Sequence, residues 1–339
     1  MSASTTKTQD TTRTAAVVAP DAVRAADDLG VDSEPDVVVV AVTYNSATIV
    51  EPFLRALPAA LEGISTARVI IVDNDSSDAT VRLVREIAPW ATVLKAGGNI
   101  GYGAGINLGM RCSNGSQGVL VLNPDTVPAP ESVSRLLAAT QAAGDVGIAV
   151  PRIVDPDGLL SFSLRREPTL LRALGEAVLG GRRAGRFSSF GEMINDREYY
   201  TDGARSDWAT GAAMFVSRAA IDAAGWWAED FFLYSEETEY ALRVRDAGFG
   251  LRFVADAVVA HQGGDMQRSP WLWSLQAVNR TRLYRRRHGR VASAAFWCVV
   301  TLNEALRAIL GRPKHRAALR ALLRGHEAFA PHRFQSSGS

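Results

Sequence analysis

Cysteine is almost missing from this chain. Cys112 and Cys298 are the only two in 339 residues, and neither sits in a C-x-x-C or Cys/His spacing, so no disulfide framework and no zinc site is expected. Such usage suits a reducing cytoplasm. A G-K-[ST] segment is also absent, which removes a P-loop. No window approaches the roughly 20 apolar residues of a spanning helix. The nearest stretch, VASAAFWCVVTLN (291–303), stops at Glu304. The opening MSASTTKTQDTTRTAAVVAP lacks the apolar core of a signal peptide and is rich in Thr, Ser, Ala and Asp, so residues 1–35 read as a disordered leader.

Net charge is nearly absent too, at +1, but its distribution is uneven. From Arg280 onward 13 Lys/Arg face only Glu304 and Glu327, whereas the first 35 residues carry six acids and three bases. Nothing in the basic tail spells a nucleic-acid motif, and no nucleic-acid partner is expected; an anionic lipid or polyphosphate surface fits it better, beside the plainer reading of a solvated helix face.

What is present, from residue 37 on, is an alternation of short β-branched runs with helical stretches. VVVVAV (37–42), RVIIVD (68–73), ATVL (91–94), GVLVLN (118–123) and VGIAV (146–150) read as five strands. Between them, SATIVEPFLRALPAAL, ATVRLVREIA and PESVSRLLAATQAA read as helices, the first with Thr48 and Glu51 at capping-box spacing. The pattern predicts a mostly parallel sheet with helices on both faces. Residues 151–207 suggest a basic, Gly-interrupted helix or mobile loop with no legible role, and the chain beyond 266 is helical and basic.

In such sheets ligands sit outside the C-terminal strand edges, which here are unusually polar. Thr43-Tyr44-Asn45 ends the first strand, DNDSSDAT (73–80) the second, and Asn123-Pro124-Asp125 the fourth; GGNIGYGAGINLG (97–109) follows the third. Each is an ordinary turn composition taken singly. The glycine spacing and its place after the third strand do not match a dinucleotide fingerprint, but such a loop lets backbone approach a ligand and opens a helix whose N-terminus favours an anion. Proline stiffens the turn that carries Asn123 and Asp125, the kind of oxygen donors a hard divalent ion shares with phosphates; capping of the helix near Pro130 is the competing use. In SEETE, Glu236, Glu237 and Glu239 repel one another, which raises their pKa values and suits a proton acceptor, although Glu239 reads better as a first-turn charge. His261, ahead of Gln262-Gly263-Gly264, could touch a phosphate or a metal, or be a satisfied surface histidine.

Taken in order, AVTYNS, IIVDNDSSDAT, GGNIGYGAGINLG, VLNPDT, DWATGAAMFVSR, FFLYSEETEYALRVRDAGF and HQGG resemble the family 2 glycosyltransferases of the GT-A fold, within their rhamnosyltransferase-like bacterial branch. The resemblance spans about residues 37–264. It implies a Rossmann-like domain over 36–265, with a nucleotide-binding half (36–150) and an acceptor and catalytic half (151–265), a membrane-associating helical region (266–330) and a disordered tail (331–339). Thr43, Tyr44, Asn45, Asp73 and Asn74 would hold base and ribose, with Asn99, Gly101, Asn107 and Asn123 along the donor. Asp125 would meet Mg²⁺ or Mn²⁺ on the diphosphate; Trp208, Gly211, Ala212 and His261 would shape the sugar and acceptor site. Glu236-Glu237 stands where the family has Glu-Asp, and alignment favours Glu237 as base. Asn123 replaces the usual first Asp of the family's D-x-D.

The implied reaction is inverting transfer, with dTDP-rhamnose the leading donor ahead of another hexose or galactofuranose. The acceptor would be a cell-envelope glycan or a polyprenyl-diphosphate-linked sugar, reached from the inner membrane face with Trp271, Trp273, Phe296 and Trp297 on the anionic surface. The alternative is a non-catalytic nucleotide-sugar or lipid binder.

Overall fold

The computed structural model describes residues 18–29, 34–264 and 268–324. Val37–Thr43 (β1) is buried at every position, and Gly118–Leu122 (β4) likewise, as strands covered on both faces must be. With Ala67–Asp73 (β2) and Thr92–Lys95 (β3) they form a parallel array in the order β3-β2-β1-β4. The remaining strands are Thr126–Pro128 (β5), Val146–Val154 (β6), Leu164–Arg165 (β7), Arg205–Ser206 (β8), Trp208–Ala209 (β9), Ala213–Ser217 (β10) and Gly250–His261 (β11).

One nine-stranded sheet runs β3-β2-β1-β4-β10-β6-β11-β5, with β8 paired to β11. β10 lies antiparallel between β4 and β6, so β3, β2, β1, β4, β6 and β11 all point one way. The strand expected at 146–150 is β6; it is therefore not the neighbour of β4, and it extends to Val154 rather than Val150. β7 and β9 form a separate two-stranded ribbon with Arg165 opposite Trp208.

The helices are Pro20–Leu29 (α1), Val50–Ala60 (α2), Thr80–Ile87 (α3), Tyr102–Met110 (α4), Ser132–Gln141 (α5), Leu170–Leu179 (α6), Gly181–Ala184 (α7), Arg218–Ala224 (α8), Glu236–Asp246 (α9), Pro270–Arg287 (α10), Arg290–Ile309 (α11) and Pro313–Arg324 (α12). One apolar cluster fills the side of the sheet under α4 and α9, another the side under α2 and α5.

Three local expectations need correction. Residues 20–29 of the expected disordered leader form a helix, because Ala22 and Ala26, four apart, bury one face against the core while Ala19 N–H donates to Ala96 O at 3.2 Å. The Thr48/Glu51 capping box does not form. α2 starts at Val50 without a side-chain cap, and its approach is tied to the turn after β2 through Ser46 N–H to Thr80 Oγ1 (2.7 Å) and Ala47 N–H to Asp78 Oδ2 (3.0 Å). Among the four aromatics expected on a membrane, Phe296 is fully buried and stacked on Tyr284, and Trp273 donates its indole N–H to Glu304. Only Trp271 and Trp297 keep more than a third of their surface exposed. The expected tail, 331–339, lies outside the described residues.

Candidate active site

A cavity of about 420 Å³ opens at the C-terminal ends of β4 and β11, and Asn123, Asp125, Trp208, Gly211, Ala212, Glu236, Glu237 and His261 all line it. The sequence places these residues in four separate segments; the topology gathers them. Asn123 N–H donates to Ala212 O at 2.9 Å, which extends the β4/β10 ladder by one bond. The following turn closes on itself through Thr126 Oγ1 to Asn123 O at 2.6 Å.

β5 then pairs with the end of β11, with Thr126 opposite His261. This register sets the His261 imidazole against Asp125, Nε2 to Oδ2 at 3.1 Å, while Gly263 N–H donates to the same oxygen at 3.3 Å. Burial works to raise the Asp125 pKa, but the hydrogen bond and charge of His261 and the Gly263 N–H outweigh it and hold the carboxyl below its ordinary value. Asp125 is not a helix cap; its partners come from the end of β11 and the residues just after it. Among the described residues no three His, Cys, Asp or Glu cluster as a complete metal cage. An ionised carboxylate beside an imidazole still fits a hard divalent ion that draws its other oxygens from a diphosphate.

On the wall of the same cavity, the first turn of α9 presents Glu236 and Glu237. The loop before it holds three non-glycine residues at positive φ, Phe232 (67°), Tyr234 (69°) and Ser235 (77°). Backbone strain of this kind persists only where surrounding contacts over-determine it. Those contacts come from α10: buried Asn279 sends its amide to the carbonyls of Phe231 (2.8 Å), Leu233 (2.8 Å) and Tyr234 (3.2 Å), and Arg282 and Arg286 bind Asp230. Burial raises the pKa of both glutamates, and for Glu236 the neighbouring Glu237 adds to it. Glu236 is buried with Oε2 lacking a partner among the described residues, whereas Glu237 is half-buried beside Gly211. Glu239 pairs with Arg243 at 2.8 Å, as its first-turn reading expects.

Among the other residues of the cavity, four carry a charge or a buried phenol that no sequence motif announces. Tyr102, inside the glycine-rich motif, donates its phenol to Asn123 Oδ1 at 2.6 Å. Arg165 is held by the carbonyls of Phe162 (2.6 Å) and Leu164 (3.0 Å) and stands over Trp208. Glu192 and Arg280 pair across the cavity's side, and Arg280 also binds Glu176 at 2.8 Å. With one guanidinium between two carboxylates, burial pushes Glu192 up to about 7 against the pull of Arg280. Arg165 and Glu192 are isolated charges in a segment of unassigned structure and Arg280 is one of many in a basic helix, so the sequence carries no signal of this.

The expected nucleotide-binding residues lie along the adjoining edge of β1, β2 and β3. Thr43 Oγ1 donates to Asp73 Oδ1 (3.1 Å), and Asn45, at φ 49°, accepts from Ser77 N–H (2.9 Å). Tyr44 is half exposed, and Asn74 donates to Gly101 O (3.0 Å) and to Asn99 Oδ1 (3.5 Å). Gly101 sits at φ 89° with the Phe232 carbonyl where a Cβ would be, at 2.7 Å, so no other residue fits. Asn107 departs from expectation. It is buried on α4, donates to Trp227 O (3.0 Å) and Glu229 Oε1 (2.9 Å) and accepts from Trp227 N–H (2.8 Å), so its amide is spent on holding the 227–229 loop.

The model for "Glycosyl transferase family 2" matches residues 38–204. An N-acetylglucosaminyl-diphospho-decaprenol L-rhamnosyltransferase of Mycobacterium tuberculosis is 31% identical over 236 residues, 66% of this chain and 75% of the relative. The low-salt glycan biosynthesis hexosyltransferase Agl10 of Haloferax volcanii is 29% identical over 234 residues, 66% of each chain. Among solved structures, a mannosyltransferase from Pyrobaculum calidifontis in complex with GDP-Man and Mn²⁺ superposes with a TM-score of 0.52 at 17% identity, over 94% of this chain and 82% of that one, a likeness of fold.

Proposed function

The chain belongs to glycosyl transferase family 2, on its rhamnosyltransferase-like branch, and moves a sugar from a nucleotide carrier; from that premise we propose an inverting transferase in which Glu237 is the base and Asp125 the metal-binding carboxylate. The observation that carries this reading is the single cavity that Asp125 and Glu237 both line. An acceptor hydroxyl is a poor nucleophile at neutral pH, so it must lose its proton as it attacks the anomeric carbon. Glu237, with a pKa raised by burial, accepts that proton, and in-line attack inverts the centre.

Asp125 and His261 would hold Mg²⁺ or Mn²⁺, which when bound neutralises the departing diphosphate. Thr43, Tyr44, Asn45, Asp73, Asn74, Asn99 and Gly101 bind the nucleoside on the adjoining edge, and Asn123, fixed by Tyr102, orients the donor over Asp125. Trp208, Gly211 and Ala212 shape the space for the sugars.

dTDP-rhamnose is the leading donor and a sugar on a polyprenyl diphosphate the leading acceptor, by likeness to the M. tuberculosis relative. The working place is the cytoplasmic membrane face. No described helix is long and apolar enough to cross a membrane. Thermal-shift screening of nucleotide-sugars with and without Mn²⁺, followed by NMR of the product anomer, tests the reading. Metal-dependent stabilisation by dTDP-rhamnose and inversion support it; stabilisation by UDP-galactofuranose or another hexose donor instead would replace the sugar, and retention would overturn the mechanism.

A further inference from the structure

Beside the first cavity lies a second one, of about 720 Å³, and Arg165, Glu192, Trp208, Gln276 and Arg280 line both. Its wall carries six basic side chains and three carboxylates, and all three carboxylates are occupied. Glu176 and Glu192 share Arg280, while Glu304 takes His315 (2.7 Å) and the Trp273 indole (3.0 Å).

The cations are disposed differently. Arg182, Arg307 and Arg312 have no carboxylate within ion-pair distance among the described residues. Arg307 is fixed instead by the carbonyls of Asn303 and Glu176, both at 3.2 Å. Lys314 stands 4.1 Å from the centre of the Trp273 ring. Arg307 is thus held in place without a carboxylate, with Arg182 and Arg312 exposed on the same wall, and guanidinium groups so disposed are suited to bidentate contact with phosphate oxygens.

The Arg307–Glu176 contact joins the C-terminal ends of α6 and α11, and both ends are greasy. Val178 (74% exposed), Ile309 (80%) and Leu310 (73%) stand in solvent a few residues from Arg182, Arg307 and Arg312. Exposed apolar side chains near in sequence to the arginines of a cationic recess match a molecule with a diphosphate head and a hydrocarbon tail.

We propose that this second cavity binds the diphosphate of the lipid-linked acceptor, with Arg182, Arg307 and Arg312 on the phosphates, the tail leaving across Val178, Ile309 and Leu310, and the sugar passing Trp208 toward Glu237. The direction toward Glu237 rests on the transferase reading above; the anion site itself does not.

The test begins with inorganic pyrophosphate and farnesyl diphosphate, titrated into the full chain in EDTA and followed by calorimetry. EDTA removes any divalent ion that Asp125 would offer to the probe. Wild type and Asp125→Ala should bind alike, farnesyl diphosphate more tightly than pyrophosphate. Arg182→Gln/Arg312→Gln, both at exposed positions and harmless to packing, should weaken binding at least tenfold, and the corresponding double Lys variant should recover part of it. Unchanged binding in the Gln variant, or loss in Asp125→Ala, would overturn the site. Equal affinity for the two probes would overturn the lipid assignment.

In transfer assays the Gln variant should raise KM for a sugar on a short isoprenyl diphosphate and leave KM for the same sugar on an alkyl chain unchanged. Equal effects on both acceptors would refute the inference while transfer itself stands. Absence of transfer with every donor, beside intact Arg-dependent pyrophosphate binding, would refute the transferase reading and support the anion site.

Discussion

Tyr102 donates its phenolic hydrogen to Asn123 Oδ1 at 2.6 Å, which ties the helix after the glycine-rich loop to the tip of β4. Burial, with Glu236, Glu237 and Asp125 nearby, pushes that phenol well above its usual pKa, so it stays protonated at any working pH. Tyr102→Phe should cost about 1 kcal/mol of stability and raise donor KM several-fold, since Asn123 loses its anchor. Chemical denaturation and donor KM check this; an unchanged KM would free Asn123 from any dependence on Tyr102.

The pH profile separates the two glutamates. A base must be ionised to act, so kcat/KM should rise with pH across a limb above the ordinary carboxylate range, because burial raises Glu237. Glu237→Gln should abolish that limb and lose roughly 10²–10⁴ in rate. Glu236→Gln should keep the limb. If instead Glu236→Gln removes it, the assignment of the base is reversed.

Much of this site was legible because strand ends announce themselves. The apolar runs of β1, β2 and β4 stop abruptly at Asn45, Asp73 and Asn123, and a parallel sheet puts those stops on one rim. Insertion of β10 between β4 and β6 was not legible, since strand order depends on contacts between segments about 90 residues apart. The bonds of Asn107 to the 227–229 loop were not legible either, because a polar residue in a glycine-rich helix reads the same whether it faces a ligand or a distant loop. Arg165, Glu192 and Arg280 come from separate segments and line one cavity only once Arg280 of α10 is paired with Glu176 of α6 and with Glu192.

Stability should depend on Glu192. Its folded pKa, about 7, lies above the ordinary 4.5, so its contribution is fully present below pH 4.5 and is lost as pH rises to about 7. Glu192→Gln should therefore gain stability relative to wild type across that window and show no further gain above it, while keeping a hydrogen bond to Arg280. Urea denaturation at pH 4.5, 6 and 8 measures the difference. A constant difference at all three values would show that Glu192 does not titrate there.

Asn279 ties α10 to the segment that precedes Glu237. Asn279→Ala leaves three carbonyls of the strained 231–234 segment without their donor, and the loss should be about 1–3 kcal/mol in stability. Because that segment sets the start of α9, kcat should fall more than donor KM rises. Equal changes in both would mean that α10 supports the fold without positioning Glu237.

The most direct measurement of the central claim pairs donor affinity with turnover in Glu237→Gln and Asp125→Ala, each with Mn²⁺ and the donor found by screening. If the two residues act from opposite sides on one bound nucleotide-sugar, Glu237→Gln should bind donor like wild type and turn over at least 100-fold more slowly, and Asp125→Ala should lose metal-dependent donor binding. Wild-type turnover in Glu237→Gln, or undiminished Mn²⁺-dependent binding in Asp125→Ala, would contradict it.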